Sequence, residues 1–318
     1  MPKIAILDDY QEVALEMADW GTLPAAAEIT VFKDHLAEID AVAERLADFE
    51  IVAIMRERTP FPRALFEKLP KLELLVTSGT GNASIDLAAA TDHGVTVCGA
   101  GASMSSTAEL TWGLILALLR HIPLEDSETR AGKWQVSLGR DLHGGTLGVL
   151  GLGRIGSQVA KVGEAFGMTV IAWSPNLTAE RAAERGARLV SKDELLADSD
   201  VLSIHMRLSE RTRGLIGRRE LGLMKPTACL INTSRGPIVE EAALIDALRG
   251  GRIGGAGLDV FDIEPLPLDH PLRNLENTVI TPHLGYVSNE TYRAFYGGMA
   301  EDIAAYLAGA PIRVMNAA

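Results

Sequence analysis

The sequence predicts an α/β fold with two parallel sheets, and three observations predict it. Over the first hundred residues, short β-branched runs alternate with longer segments of helical period, the pattern of a parallel sheet covered by helices. A polar stretch holding His143, Gly144 and Gly145 interrupts the alternation, which resumes at residue 146 and runs to about 281. At 318 residues the chain has room for about two domains.

Taken in order, 3–7, 29–32, 51–54, 74–76 and 95–97 read as the strands of the first sheet. Between them 11–19 and 36–48 are rich in Ala, Leu and Glu and read as helices. Ser106 or Thr107 can cap a long helix that runs to about His121 and ends before Pro123. The second sheet is expected from 146–150, 170–173, 201–205, 228–232, 253–260 and 279–281. Segment 262–271, with its Pro and Asp residues, reads as an ordered loop. The tail 288–307 places Tyr292, Phe295, Met299, Ile303 and Tyr306 near a 3.6 period and reads as an amphipathic helix that packs on the first sheet.

Composition removes several classes of function. Asp+Glu 42 against Lys+Arg 30 gives a net charge of −12, so no broad basic surface faces nucleic-acid phosphates or anionic lipid. A basic pocket for one small anion is compatible with that balance. Hydrophobic residues at 47% and charged residues at 23% are ordinary for a globular chain able to bury a sizeable core. Cys98 and Cys229 alone make neither a disulfide framework nor a cysteine-ligated zinc site, and they favour a reducing compartment. Asp8 and Asp9 interrupt the place where a signal peptide needs its apolar run, and the apolar stretch 110–119 is too short for a membrane span. A cytoplasmic location is expected.

Gly151-Leu152-Gly153-Arg154-Ile155-Gly156 fits the G-x-G-x-x-G pattern in its required setting, with an expected strand before it and an expected helix, 157–166, after it. Gly151 permits the tight turn, Gly153 lets backbone approach a pyrophosphate, and Gly156 lets helix and strand pack closely, with the helix N-terminus facing the phosphates. An NAD or NADP cofactor follows. About twenty residues on, an acidic residue would hold the ribose hydroxyls of NAD. Here the strand ends in Ser174-Pro175-Asn176. Ser174 can donate a hydrogen bond, no Arg follows until Arg181, and the preference between the two cofactors stays open.

Three further segments follow in order: Asn232-Thr233-Ser234-Arg235-Gly236; Gly257-Leu258-Asp259-Val260-Phe261 leading to Glu264-Pro265; and Thr281-Pro282-His283-Leu284-Gly285. Together with the glycine turn they resemble the D-isomer-specific 2-hydroxyacid dehydrogenase family over nearly the whole chain. The resemblance implies a Rossmann cofactor domain, 101–287, inserted into a flavodoxin-like substrate domain made of 1–100 and 288–318. It also implies Arg235, Glu264 and His283 as the catalytic trio. The chemistry asks for those residue types. Hydride transfer to a 2-keto carbon is coupled to a proton on its oxygen, and His is the side chain that exchanges protons near neutrality. A carboxylate beside it fixes its tautomer and favours the imidazolium. Arg presents a planar fork to a substrate carboxylate and polarises the carbonyl.

By the same resemblance Asp259 holds the nicotinamide carboxamide, with Thr233, Ser106 and His205 as further cofactor contacts, although His205 reads equally as a satisfied structural histidine. Ser78-Gly79-Thr80-Gly81 resembles the family's substrate loop, with the amides of Thr80 and Gly81 on the substrate carboxylate. Arg56 stands where the family often has a substrate-facing arginine; a solvated loop charge is the other reading. Tyr286 stands where a small residue is commoner and is a candidate to fill the substrate pocket. Arg207 replaces a common Pro and adds positive charge near the expected adenosine end, though it also reads as an exposed surface arginine. Trp134 resembles a segment that reaches the partner in family dimers, so a homodimer is expected. The expected activity is NAD(P)-dependent interconversion of a small 2-keto acid and a D-2-hydroxy acid. The alternatives are a dinucleotide-sensing binding protein of the corepressor type, or a phosphite or formate dehydrogenase.

Overall fold

The computed structural model describes residues 2–101 and 105–316. The chain forms two compact units, Met1–Ser103 with Ser288–Ala318, and Met104–Val287. The expected boundary at 100/101 adjoins residues 102–104, which lie outside the described residues.

The first unit contains β1 (Lys3–Ile6), β2 (Glu28–Val31), α1 (Ile39–Leu46), β3 (Ile51–Ile54), α2 (Arg63–Phe66), β4 (Leu74–Ser78), α3 (Leu87–Asp92) and β5 (Thr96–Ala100). Its strands pair in parallel in the order β2-β1-β3-β4-β5. This is the flavodoxin-like order, in which the chain reverses its direction of winding between β1 and β3. Every residue of β3 and β4 is buried, which is why β3 and Leu74–Val76 of β4 read as apolar runs rather than alternating ones. Val52, Ile54 and Leu75 pack against Leu46, Phe61, Leu65 and Phe66.

The second unit contains α4 (Ser106–Leu119), α5 (Ile122–Arg130), β6 (Thr146–Leu150), α6 (Arg154–Ala165), β7 (Thr169–Trp173), α7 (Ala179–Ala183), β8 (Arg188–Leu189), α8 (Lys192–Asp198), β9 (Val201–Ile204), α9 (Arg218–Leu223), β10 (Cys229–Asn232), α10 (Glu241–Arg249), β11 (Gly255–Leu258) and β12 (Thr278–Ile280). The parallel sheet runs β12-β11-β10-β9-β6-β7-β8, the doubly wound order that reverses between β6 and β9. Alternate residues of each strand face opposite cores. Leu202, Ile204 and Leu230 pack with Leu195, Leu221, Leu244 and Leu248 on one face, while Val201, Ile231 and Val149 pack with Leu114, Ile115, Leu118 and Val159 on the other.

The chain then returns to the first unit as α11 (Asn289–Leu307). Tyr292, Phe295, Met299 and Ile303 are buried as the periodicity predicts, whereas Tyr306 is only partly buried. After α11, Val314 pairs antiparallel with Cys98 and the Met315 amide donates to the Val97 carbonyl at 2.7 Å. That pairing covers the open edge of β5.

The structure differs from the expected elements where side chains compete for backbone. Segment 11–19 is a chain of turns, not a helix. The Asp9 carboxylate accepts the amides of Val13 and Ala14 at 3.1 and 2.9 Å, and Glu12 adopts a left-handed φ of 60°. The helix expected over 36–48 contracts to α1. The helix expected over 157–166 begins three residues earlier, at Arg154, because Gly153 already takes the cap position. Ser106 and Thr107 lie inside α4, with Ser105 at its cap position making no side-chain cap bond. That helix stops at Leu119, and Pro123 sits in the first turn of α5, where its missing N–H costs nothing.

Candidate active site

The turn after β6 is held by its own backbone. The Gly151 amide donates to the Trp173 carbonyl at 2.9 Å, and the Gly153 amide to the Gly151 carbonyl at 2.9 Å. Gly151 has φ +103°, and a Cβ there would meet the His205 carbonyl oxygen at 2.6 Å, so no other residue fits. Gly153 extends into the N-terminus of α6, and around its missing Cβ there is no atom within 4 Å. Arg154, Ile155 and Gly156 form the first helical turn, whose amides lack intrahelical acceptors and carry the positive end of the helix dipole. This open cradle of amides fits a pyrophosphate. Ser174, ending β7, accepts the Leu152 amide on Oγ at 3.1 Å, so it ties the turn to the strand and keeps its proton to donate.

The ends of β10, β11 and β12 carry the three residues singled out for proton and substrate chemistry. The His283 Nδ1 and the Glu264 Oε2 lie 2.6 Å apart, with the side chains 20% and 33% exposed. The other Glu264 oxygen accepts the Phe261 amide at 2.9 Å, so the carboxylate is fixed at both atoms. With Nδ1 committed to a carboxylate, Nε2 is the nitrogen left to exchange a proton. Arg235 follows β10 in an extended conformation and donates from Nη1 to the Ser234 carbonyl at 2.6 Å. Next to it, a Cβ on Gly236 would stand 2.1 Å from the Phe261 carbonyl carbon. This close approach brings the turn after β10 against the loop that carries Glu264.

Asp259, wholly buried at the end of β11, organises the His283 loop. Its carboxylate accepts the Thr281 hydroxyl at 2.6 Å and the amides of Leu284 and Gly285 at 2.7 and 2.8 Å. Its carbonyl takes the His283 amide at 2.9 Å. Burial pushes the carboxyl above the usual carboxylate range, while these hydrogen bonds and the nearby His283 pull the other way. His283 itself adopts a left-handed φ of 54°, a conformation this web of bonds sustains. The Tyr286 ring meets the imidazole edge to face at 5.3 Å.

Other candidates are built into the same unit. His205 ends β9 with Nε2 2.8 Å from the Ser203 hydroxyl, and burial pushes its pKa down to about 4, leaving it neutral near pH 7. The Thr233 hydroxyl lies 2.8 Å from that of Thr111 on α4, so it braces that helix. Ser106 is the first residue of α4, and Thr107 donates to the Gly285 carbonyl at 2.8 Å.

Arg56, Thr80 and Gly81 belong to the first unit, at the ends of β3 and β4. The Arg56 guanidinium donates to the carbonyls of Ser78 and Gly81 at 3.1 and 3.4 Å, and its amide donates to the Ser78 hydroxyl at 2.8 Å. Asn82 reaches back to the Arg56 carbonyl at 2.7 Å. Arg56 therefore clamps the 78–82 loop, whose outer residues Thr80 and Gly81 are exposed. Sequence reasoning assigned no role to two supporting residues. Thr281, quoted only as part of the His283 segment, holds Asp259, and Arg185, which no pattern marks, donates to the Leu152 carbonyl from 33 positions away.

A doubly wound dinucleotide sheet bearing a His–carboxylate pair at its strand ends defines a nicotinamide-dependent oxidoreductase. The family described as D-isomer specific 2-hydroxyacid dehydrogenase, NAD binding domain, matches residues 112–285. The chain is 43% identical over 255 residues to a glyoxylate reductase of Aeropyrum pernix, covering 77% of this chain and 76% of that protein. It is 38% identical over 314 residues to a D-3-phosphoglycerate dehydrogenase of Methanocaldococcus jannaschii, covering 97% of this chain and 58% of that relative's length. A crystal structure of a phosphoglycerate oxidoreductase from Vibrio cholerae superposes with a TM-score of 0.92 at 38% identity, covering 98% of this chain and all of that one. The chain belongs to the D-isomer-specific 2-hydroxyacid dehydrogenase family.

Proposed function

We propose that the protein reduces a small 2-keto acid to the D-2-hydroxy acid with NADH or NADPH, or runs the reverse reaction. The observation that carries this reading is the 2.6 Å pair of His283 and Glu264 on the strand ends of a dinucleotide sheet. When bound, the reduced nicotinamide supplies a hydride to C2. His283 delivers the proton to the carbonyl oxygen, Glu264 holds the imidazole and stabilises its cationic form, and Arg235 binds the carboxylate and polarises the carbonyl. The Gly151–Gly156 turn takes the pyrophosphate, with Ser174, His205, Thr233, Asp259 and Ser106 as cofactor contacts. The first unit acts as the substrate domain and the second as the cofactor domain. Thr80 and Gly81 offer amides to the substrate carboxylate, Arg56 sets their loop, and Tyr286 shapes the pocket beside His283.

Glyoxylate and hydroxypyruvate are the keto acids to try first, and 3-phosphoglycerate is the hydroxy acid to try in reverse, since the relatives' names point to such substrates. The test is consumption of reduced nicotinamide, read by its absorbance, across a panel of 2-keto acids with either cofactor. Turnover with the product shown to be the D isomer supports the reading, and silence across the panel with both cofactors sinks it.

A homodimer is part of the same reading. The segment from α5 onward exposes Ile122, Leu124, Val136, Trp134 at 77% and Leu138 at 93%, an apolar surface that a second copy would cover. Sedimentation separates dimer from monomer. Among the described residues no helix is long and apolar enough to cross a membrane, and the two free, buried cysteines support a reducing, cytoplasmic setting.

A further inference from the structure

We propose that Glu241 and His270 are positioning residues that set the Glu264 carboxylate beside His283, an inference that rests on the functional reading above and adds two residues to that site. Glu264 lies on the arm 262–265, every residue of which is exposed. An exposed arm has few buried contacts of its own to fix it. Glu264 nevertheless stands 2.6 Å from His283, and the bonds that hold the arm are found at the two ends of the loop.

One carboxylate holds both ends. Glu241, the first residue of α10, places Oε1 3.0 Å from the His270 Nε2, and its Oε2 accepts the Asp262 amide at 3.5 Å. The Leu272 amide donates to the His270 Nδ1 at 3.4 Å, so the ring proton lies on Nε2 and faces Glu241. The pair is largely shielded, with the Glu241 and His270 side chains 23% and 14% exposed. Asp262 belongs to the same cluster. Burial and then the Glu241 carboxylate push its carboxyl above the usual range, while Arg213 and His270 pull the other way. On the return from Pro265, Arg273 donates to the carbonyls of Leu266 and Pro267 at 2.6 and 2.8 Å. The neighbouring amides of Phe261 and Asp262 are thus taken by two different carboxylates, the first by Glu264 and the second by Glu241. Losing the Glu241 bond frees the peptide next to the one that fixes Glu264, and losing His270 opens the base of the loop. Glu241 and His270 act on the proton transfer only through Glu264.

The test joins steady-state kinetics with nitrogen NMR of the His283 imidazole in the full chain, at alkaline pH where the neutral ring shows which nitrogen carries its proton. In the wild type that proton is expected on Nδ1, facing Glu264, and E264A is expected to shift it toward Nε2. H270A is expected to shift it the same way in part, and to lower kcat about tenfold, the worth of one hydrogen bond, with KM for the reduced nicotinamide unchanged. H270Q, whose amide can still donate to Glu241, is expected to restore the wild-type tautomer and most of kcat. E241Q can accept at only one of the two positions, so it is expected to follow H270A, and it carries the test if H270A does not fold. A wild-type tautomer and kcat in both H270A and E241Q overturn the proposal, as does an H270Q that falls as far as H270A. An Nδ1-bound proton that responds to these substitutions in a protein without keto-acid turnover overturns the functional reading alone. A wild type with no preference for Nδ1 overturns both.

Discussion

The seven-stranded and five-stranded sheets each end a central strand in a glycine-bearing turn, and they hold those turns by different means. After β6 the turn is braced by main-chain bonds and runs at once into α6, so its shape depends on glycines at defined φ and on the helix it opens. After β4 no helix begins until Leu87, and the loop is braced by side chains, with Arg56 on the carbonyls of Ser78 and Gly81 and Asn82 on the carbonyl of Arg56. A turn held by main chain fails abruptly when its packing is breached. A loop held by a long side chain loosens by degrees. Under the proposed function the same contrast divides the chemistry, with proton transfer and the Arg235 contact to the substrate on the seven-stranded unit and the amides of the 78–82 loop on the other.

The largest expected effect comes from removing the proton carrier. His283→Gln should lower kcat by about 10²- to 10⁴-fold, the usual contribution of a general acid or base, with dinucleotide affinity retained. Steady-state kinetics beside a fluorescence titration reads both. Keto-acid turnover that survives this substitution would place proton transfer elsewhere and break the division between the units.

Gly236→Ala tests the abrupt failure expected of main-chain packing. A Cβ 2.1 Å from the Phe261 carbonyl carbon must push the Phe261–Glu264 loop away, at a cost of about 2 to 4 kcal/mol, the range of severe core strain. Thermal unfolding should show a lowered Tm, and kcat should fall because Glu264 loses its place beside His283. Wild-type Tm and kcat would mean that this contact sets nothing.

Arg56→Ala tests the gradual case. With the clamp gone, the 78–82 loop samples more conformations, and each substrate encounter must order it again. KM for the keto acid should rise about tenfold, the worth of one to two lost hydrogen bonds, with kcat changed much less. A kcat loss as large as that of His283→Gln would show that Arg56 acts on the reacting atoms themselves.

What could be read from the sequence follows from how each feature is encoded. The buried strands were legible because a sheet covered on both faces leaves unbroken apolar runs, as in Ile51–Ile54, or nearly unbroken ones, as in Val201–Ile204 with its single buried serine. The glycine turn and the strand-end segments were legible because their residues are contiguous. Segment 11–19 was misread because helix-forming composition says nothing of the Asp9 carboxylate that caps two of its amides. The Asp259 hub was named for a different task, since most of its bonds go to main-chain amides, which carry no side-chain signature. Arg185 was invisible for a related reason. Its partner is a backbone carbonyl, and only the winding of α7 and β8 brings the two together.

The smallest effect separates the two histidines at strand ends of the seven-stranded sheet. His283 is paired with a carboxylate and partly open to solvent, whereas His205 rests on the Ser203 hydroxyl, and burial lowers its pKa to about 4. An unfolded histidine titrates near 6.5, so between these values the unfolded chain binds the proton that the folded chain refuses. Stability is therefore complete above about pH 6.5 and declines as the pH falls toward 4. At pH 5.5 the loss is about 1 kcal/mol. His205→Gln keeps a hydrogen-bonding partner for Ser203 and removes the titration, so its urea midpoint should fall less than that of the wild type between pH 8 and pH 5.5. An equal decline in both proteins would move the acid sensitivity of this sheet to groups other than His205.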